Sequence, residues 1–320
     1  DDQTPDWYAF RHSLLAEALL TLLTPVERAR LAGRVADAIE SVYPGLPGEW
    51  CQACATLRLD AGDRLAAGEL FAEAGRRYLE QGAANTAVRL LDKAWDLLAG
   101  ADAGPRARTL ESLLLALAEA GLVERAIDSI GILDDIGGLD PRRRAQLHTR
   151  LAWAAAIAGR REHALAQLRA ARTLLGQHAA PEDLAPIDVV AAHLELDEPG
   201  ERKLRTAEDM ARRAATVAEA VPLPDVACQA WQFTGLVARS RDPDEGTACL
   251  ERARELAVRH GLPISEIHAL VKLGNDDALR DGSLERLEQA RRQATAAGAV
   301  TARYIAEQSI TLYQILNGDF

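Results

Sequence analysis

Small and hydrophobic residues recur along the chain at spacings of three, four and seven, which is the pattern of one face of an α-helix. One signature repeats: a glycine, a small residue five positions later, and a second small residue seven beyond that. It occurs at Gly62, Ala67 and Ala74, at Gly82, Ala87 and Ala94, and at Gly159, Ala164 and Ala171. Small residues seven apart share a helix face and let a neighbouring helix come close. The signature therefore predicts helical hairpins whose second helix follows a glycine turn.

A weaker form of the signature continues through the chain. Gly121 and Ala126 are followed by Leu133 in the last position, and later the glycine is lost while the seven-residue pair persists at Ala207 and Ala214, at Gly246 and Ala253, and at Ser283 and Ala290. The first small residues, at 67, 87, 126, 164, 207, 246 and 283, are separated by steps of 20, 39, 38, 43, 39 and 37. The later steps fit a two-helix unit, and the step of 20 fits two consecutive helices. Such self-similarity is typical of helical repeats.

Polar and Gly/Pro-rich breaks separate the predicted helices. They lie near Asp60–Asp63, Gln81–Ala83, Gly100–Pro105, Gly137–Pro141, Gln177–Pro186, Glu198–Gly200, Val221–Pro224, Gly261–Pro263 and Asp281–Ser283. Breaks at helix-length spacing are what a series of hairpins requires. The last segment, after Gly298, reads as the first helix of another hairpin whose second helix is missing, so we expect the chain to be part of a longer protein.

The segment before the repeats has its own helix signals. Thr24 precedes Pro25, and Glu27 follows three residues after Thr24, which predicts a capped helix start. Leu31, Val35, Ala38 and Ile39 follow a helical period and predict its buried stripe, and Tyr43-Pro44-Gly45 predicts its end.

Composition narrows the fold class and the partners. Hydrophobic residues make up 48% of the 320 positions and aromatic residues only 4%, which favours alanine-lined helices over sheets. The net charge of −11 argues against direct binding of this chain to nucleic acid. There is no apolar run of eighteen residues and no cleavable leader, so we expect no membrane association and a cytoplasmic location.

Motifs for chemistry are absent from the sequence. There is no G-x-x-x-x-G-K-[ST] phosphate-binding loop, no G-x-G-x-x-G, no H-E-x-x-H and no G-x-S-x-G. Cys51 and Cys54 form a C-x-x-C in a predicted helix, without the strand of a redox motif or the second pair of a zinc site, so we expect buried small residues instead. We therefore expect no enzyme activity, no metal and no cofactor in this chain.

The repeats resemble the tetratricopeptide family. A glycine before the second helix, followed by Ala and a further Ala seven on, is similar to the second half of that repeat, although the spacing here exceeds the usual 34 residues and the aromatic positions are mostly missing. The resemblance implies an all-α fold: a right-handed α-solenoid of tetratricopeptide-like hairpins over residues 46–320. In such arrays the first helix of each hairpin lines the concave surface.

The beginning of the chain resembles another family. F-R-H, L-x-x-E-A-L, E-R-x-R-L and V-A-x-A-I-E, within Phe10–Glu40, are similar to the end of the winged-helix region in bacterial STAND-type ATPase regulators. The resemblance is greatest to the large ATP-binding LuxR-family regulators, including the maltose-activator type. It implies that residues 1–45 end a winged helix after an ATPase module, that ATP is the cofactor of the longer protein, and that a helix-turn-helix binds DNA. His12 then resembles a histidine that contacts nucleotide phosphate, or else it is a capping histidine.

Candidate binding residues lie on predicted first helices. Trp153 stands off the core stripe formed by Leu147, Leu151, Ala154, Ala155 and Ala158, and Trp231 stands off the stripe formed by Ala230, Phe233, Leu236 and Val237. Large aromatics off a core stripe are typical of ligand or partner surfaces. Arg239, His268, Lys272 and Asn275 complete the predicted groove. The alternative is that the two Trp rings pack against adjacent hairpins.

The leading functional hypothesis is a sensing arm of an ATP-dependent LuxR-family transcriptional regulator. Its concave face would bind a small-molecule inducer or a protein partner and relay the signal to the ATPase by population shift. Self-association of the chain is a further expectation. Two alternatives stay open: a free-standing peptide-binding scaffold, and the repeat arm of an ATPase-linked adenylyl cyclase or kinase.

Overall fold

The computed structural model describes residues 21–129, 133, 136–157, 159–196, 200–297 and 299–317. Within these ranges the chain forms fifteen α-helices and no strand. The prediction of an all-α fold made of helical hairpins is thereby confirmed. His12 and the rest of residues 1–20, the first part of the predicted winged-helix segment, lie outside the described residues.

The helices follow one another with short connections. In chain order they are α1 Pro25–Val42, α2 Trp50–Asp60, α3 Arg64–Glu80, α4 Ala84–Leu97, α5 Ala103–Glu119, α6 Val123–Asp128, α7 Pro141–Ile157, α8 Arg161–Leu175, α9 Pro181–Leu196, α10 Glu201–Ala220, α11 Pro224–Ala238, α12 Pro243–His260, α13 Pro263–Asp281, α14 Glu285–Ala297 and α15 Val300–Asn317. A 3-10 turn at Leu98–Gly100 extends α4.

The glycines of the signature end one helix and permit the next. Gly82 has φ +81°, a left-handed conformation that only glycine adopts without strain. The N–H of Ala83 then donates to the carbonyl oxygen of Tyr78 at 2.8 Å, the bond that closes a Schellman turn. Gly62, Gly121 and Gly159 also have positive φ. The glycine turns predicted from the signature are confirmed.

The small residues of the signature lie at the helix contacts. Ala87 and Ala94 of α4 are fully buried, and so are Ala164 and Ala171 of α8. Leu91, which lies between these two alanines in α4, is also fully buried and belongs to the same stripe. The same stripe recurs at Ala207, Ala211, Ala214 and Ala218 of α10, at Gly246, Leu250, Ala253 and Ala257 of α12, and at Leu287, Ala290 and Ala294 of α14. Each second helix thus presents one narrow apolar face to its partner.

Glycines on first helices allow an unusually close approach. A Cβ atom added to Gly235 of α11 would lie 2.8 Å from the carbonyl oxygen of Gly246 and 2.8 Å from Cγ of Leu250, both on α12. A Cβ atom added to Gly75 would lie 2.6 Å from Cγ of Leu91, and one added to Gly274 would lie 2.8 Å from Cγ of Leu287. The leucine of the second helix therefore occupies the space that a side chain on the first helix would need.

The hairpins are arranged so that their first helices form one layer. The helices α7 and α8, α9 and α10, α11 and α12, and α13 and α14 pack in pairs. Contacts also join α5 to α7, α7 to α9, α9 to α11, α11 to α13, and α13 to α15. We call these six helices the first-helix layer. The face that they turn away from the second helices is available for other contacts.

The chain divides into two compact units. The first comprises the described residues up to Ala74 together with Lys93–Gly100, and the second comprises Gly75–Asp92 together with the described residues from Ala101 onward. In the first unit α1 packs on α2, and Leu98 covers Gly68. The second unit contains all of the first-helix layer. The domain boundary expected at residue 45 stays a prediction.

Two details of the sequence-based expectation are wrong. In α1, Leu31 and Val35 are 41% and 39% exposed, while Ala32 and Ala36 are buried. The helix α2 packs against the alanine face because small side chains let its backbone approach, and Cys54 Sγ reaches the carbonyl oxygen of Ala36 at 3.9 Å. The predicted start of α1 is confirmed, since Thr24 and Glu27 form a reciprocal capping box.

The second correction concerns Pro186, which was expected within a break but lies inside α9. The helix begins at Pro181, and the N–H of Leu184 donates to the carbonyl oxygen of Ala180 at 3.2 Å. A proline in the second turn removes a single backbone hydrogen bond close to the helix start, which the helix tolerates better than a proline in its middle.

The last helix, α15, has two different faces. Ala302, Ala306, Ile310 and Tyr313 are buried against α13 and α14. The opposite face exposes Tyr304, Leu312, Ile315 and Leu316.

We predict that Gly235→Ala destabilises the chain by about 1–3 kcal/mol, because the added methyl group meets the backbone of α12. Gly100→Ala is the matched control, since a Cβ atom there has no neighbour within 4 Å. Urea unfolding curves of the two variants and the parent measure the difference. Equal midpoints for the two variants would contradict close packing at Gly235.

Candidate ligand-binding cavities

Helices of the first-helix layer, together with α3 and the turns before α11 and α13, line two adjoining cavities. Cavity A has a volume of about 370 Å³ and cavity B about 480 Å³. Arg150 of α7 and Gln229 of α11 line both. Because these residues are shared, the two cavities lie side by side.

Cavity A is enclosed partly by a close contact between distant parts of the chain. The turn at Gly82, between α3 and α4, touches Ala299, which precedes α15, and Ile264 at the start of α13. A Cβ atom on Gly82 would lie 2.7 Å from Cβ of Ala299. Glycine is therefore required at position 82 for two reasons: the turn is left-handed, and a side chain would clash with Ala299.

Charged groups of both signs line cavity A. Arg76 and Glu80 come from α3, Glu119 from α5, Arg150 from α7 and Asp225 from α11. Burial raises the pKa of Glu119 above its usual range. A ligand in this cavity would meet both hydrogen-bond donors and hydrogen-bond acceptors, which can fix its orientation.

Cavity B combines an apolar wall with a charged edge. Trp153 shares its wall with Val190 and Val226. The charged edge contains two ion pairs between neighbouring helices, Arg143 with Glu111 and Arg142 with Asp183, each with an N–O distance of 2.6 Å. The pairs hold the edge in place while the apolar wall offers contact area.

Trp153 both lines cavity B and packs against the protein. Its ring centroid lies 5.5 Å from that of His193 on α9, and His193 lies 6.1 Å from Phe233 on α11. The indole is half-buried between two core clusters. The described part of the predicted core stripe of this helix is confirmed, because Leu147, Leu151, Ala154 and Ala155 are buried. Trp153 therefore lines a cavity, as the binding interpretation requires, and also packs against adjacent hairpins, as the alternative requires.

Trp231 has a different environment. Its indole N–H donates to Oε1 of Glu219 at 2.5 Å, and Glu219 also pairs with Arg252 of α12. The hydrogen bond from Arg252 lowers the pKa of Glu219. Trp231 packs against a core cluster and does not line cavity A or B. Its role in a groove stays a prediction.

Of the other predicted site residues, Arg239 directly follows α11, and His268, Lys272 and Asn275 lie on α13. Lys272 Nζ donates to Oε1 of Gln232 at 3.0 Å, and Nε2 of Gln232 donates to the carbonyl oxygen of Ser265 at 3.0 Å. Arg239 pairs with Asp276 at 2.9 Å.

The backbone carbonyl oxygen of Asn275 accepts a hydrogen bond from the hydroxyl of Tyr313 at 3.3 Å. Arg239, His268, Lys272 and Asn275 do not line the two cavities themselves. Ser265, however, lines cavity A, and His268 follows it on the same face of α13.

Burial changes the protonation of this group. It lowers the pKa of His268 to about 4, and the charge of Lys272 contributes. Burial also lowers the pKa of Lys272 to about 8, with a contribution from Arg239. At neutral pH, His268 is therefore uncharged and Lys272 is still mostly protonated.

Sequence reasoning missed the residues that connect the cavities. Arg150 lies three positions before Trp153 and shares its helix face, so helical spacing alone could have found it. Gln229, which lines both cavities, and Glu119, which lines cavity A, carry no motif, and their positions follow from how successive first helices pack.

Other candidate chemistry is limited in the described part of the chain. Cys51 and Cys54 are buried on α2, and burial together with Glu40 raises the pKa of Cys54 to about 11. A thiol with a raised pKa is a poor nucleophile and metal ligand. No group of three or more His, Cys, Asp or Glu side chains among the described residues could hold a metal ion. No helix within the described ranges is long and apolar enough to cross a membrane.

Comparison with solved structures supports the fold. A crystal structure of a signal transduction ATPase with numerous domains (STAND) protein, which has a tetratricopeptide repeat sensor and comes from Pyrococcus horikoshii, superposes with a TM-score of 0.55 at 12% sequence identity. The match covers 96% of this chain and 46% of that one, so this chain spans less than half of that protein. No protein-family profile and no curated protein sequence matches. The predicted tetratricopeptide-like fold is thereby confirmed.

We predict that His268 makes folding stability depend on pH. Its pKa falls from 6.5 to about 4 on folding, so the unfolded chain binds more protons between these values and stability decreases as the pH falls through this window. His268→Gln removes this contribution, which amounts to at most about 3 kcal/mol.

Urea unfolding at pH 7 and pH 4 measures the effect. The exposed His178 provides the control, because His178→Gln leaves His268 in place. If the His268→Gln variant loses as much stability between the two pH values as the His178→Gln variant, the prediction is wrong.

Proposed function

We propose that this chain is the ligand- or partner-sensing arm of a STAND-type ATP-dependent regulator. The observation that carries the proposal is the pair of adjoining cavities, which the first-helix layer lines with an aromatic wall and with charges of both signs. Cavities of this size and mixed chemistry suit specific binding of a small molecule. The chain itself performs no catalysis in this proposal, and ATP binds to another module of the longer protein.

The regulatory part of the proposal draws on two further observations. The segment Phe10–Glu40 resembles the region that follows the ATPase in LuxR-family regulators. The fold is similar to that of part of a solved protein described as a STAND protein with a tetratricopeptide repeat sensor. A ligand that binds one assembly state better than another would shift the population toward that state. We propose that the longer protein is a cytoplasmic transcriptional regulator.

The coding sequence around this segment tests the regulatory part. We expect a phosphate-binding loop upstream and a LuxR-type helix-turn-helix downstream. A cyclase or kinase domain in place of the helix-turn-helix would redirect the output while keeping the sensing role. Absence of an upstream phosphate-binding loop would contradict a STAND-type protein and favour a free-standing scaffold.

We predict that Trp153→Ala abolishes ligand binding while Trp231→Ala retains it. The two residues are chemically identical and both half-buried, but only Trp153 lines a cavity. A buried Trp→Ala change costs about 3–5 kcal/mol, so each of these half-buried residues should lose about 2 kcal/mol. Trp231→Ala therefore controls for the loss of stability.

A thermal-shift screen of a metabolite library against the parent and both variants makes the measurement. The expected result is a compound that raises the melting temperature of the parent and of the Trp231→Ala variant but not of the Trp153→Ala variant. Compounds that stabilise all three proteins equally would place binding outside cavity B.

A further inference from the structure

Two polar side chains lie where cavities A and B adjoin. Arg150 of α7 and Gln229 of α11 each line both cavities, and we call their position the cavity boundary. Both residues are half-buried, and the side chain of Arg150 is 28% exposed. A group bound at the cavity boundary is therefore partly shielded from water, which strengthens its electrostatic interactions.

The hydrogen-bonding groups at the cavity boundary are not used by the protein itself. Among the residues that the structure describes, no hydrogen bond involves the side chain of Arg150 or of Gln229. Arg150 pairs with Glu111 of α5, but the Nε–Oε1 distance of 3.6 Å is too long for a hydrogen bond. A guanidinium has five N–H donors and an amide has two. A bound molecule can therefore supply the acceptors that these donors lack.

The carboxylate that pairs with Arg150 is shared with a second arginine. Arg143 holds Glu111 more closely, at an N–O distance of 2.6 Å. Within the described ranges, no ion pair joins Arg150 to Glu119 or to Asp225, which line cavity A with it. Two guanidinium groups thus depend on one carboxylate, so a second carboxylate, brought by a ligand, would balance the charge of Arg150.

The apolar wall of cavity B begins next to Arg150. Trp153 lies three residues further on the same face of α7 and shares this wall with Val190 and Val226. A molecule whose charged end lies at Arg150 can therefore bury hydrocarbon surface within one helical turn of that end.

Other carboxylates limit the charge that such a molecule can carry. Glu80, Glu119 and Asp225 line cavity A, and Glu182 lines cavity B. They repel a phosphate, which carries close to two negative charges, more strongly than a carboxylate, which carries one. The lining therefore favours a single carboxylate over a phosphate.

We propose that Arg150 and Gln229 bind the carboxylate of an apolar monocarboxylic acid whose hydrocarbon part lies against Trp153 in cavity B. The planar guanidinium can donate two parallel hydrogen bonds to a carboxylate, and the amide of Gln229 can donate a third. This inference deepens the proposed sensing function and rests on it in treating cavity B as a ligand site. The alternative is that Arg150 serves only to hold Glu111 between α5 and α7.

Matched pairs of acid and amide test the carboxylate. Phenylpropionate, naphthoate and octanoate differ in their hydrocarbon part, and the primary amide of each acid keeps its shape but not its charge. Calorimetry measures their binding to the parent chain at neutral pH. We expect at least one acid to bind, and its amide to bind at least about tenfold more weakly, because hydrogen bonds to charged groups are stronger than neutral ones.

Variants assign this preference to one side chain. Arg150→Gln should remove the preference for the acid over its amide. Arg150→Lys should keep only part of it, because lysine retains the charge but lacks the planar fork. Arg89→Gln is the matched control for the loss of charge, since Arg89 is exposed on α4 and lines neither cavity. Thermal melts confirm that each variant is folded.

Several outcomes would overturn the proposal. It fails if none of the three acids binds the parent, if an acid binds Arg150→Gln as tightly as the parent, or if phenyl phosphate binds more tightly than every acid. The screen with Trp153→Ala tests the sensing function separately. A compound that needs Trp153 but binds Arg150→Gln as it binds the parent would support sensing through cavity B and contradict the carboxylate site alone.

Discussion

The short distance between paired helices is the constraint on which this fold depends. Alanine and glycine at the contacts let backbones approach, and a leucine of the second helix fills the space above a glycine of the first, as Leu250 does at Gly235. Such contacts are closely packed, and a single added methyl group disturbs them. The second helices cover the apolar face of each first helix. The opposite faces of the first helices can therefore carry polar groups and line the cavities.

Arginine joins successive hairpins on the surface of the array. Glu208 of α10, which is 8% exposed at its side chain, accepts from Arg212 on its own helix and from Arg241 before α12. Glu245 pairs with the same two arginines. The planar guanidinium suits this bridging role, because it can hold two carboxylates in fixed directions. Exposed pairs contribute little stability individually, so their main effect is to fix how one hairpin is oriented on the next.

Local sequence patterns predicted the hairpins but only part of the site. Gly82, Ala87 and Ala94 carry a periodic signal that depends on neighbours within one hairpin, and the structure agrees with it. Glu119 and Gln229 line the same cavity because first helices from different hairpins pack side by side, and no spacing in the sequence encodes that. The stripe expected at Leu31 and Val35 is wrong because periodicity favours large residues, whereas close helix packing selected Ala32 and Ala36.

The contact of Gly82 with Ala299 and Ile264 affects how the second unit folds. The stability of repeats that touch only their neighbours is a sum of the contributions of the single repeats and of the interfaces between neighbouring repeats. Here the turn at residue 82 packs against the segment around residue 299, so the loss of one end removes contacts from the other. Contacts of such large sequence separation slow folding. Unlike an open array, this unit can transmit a disturbance at one end directly to the other, without passing through the hairpins between them.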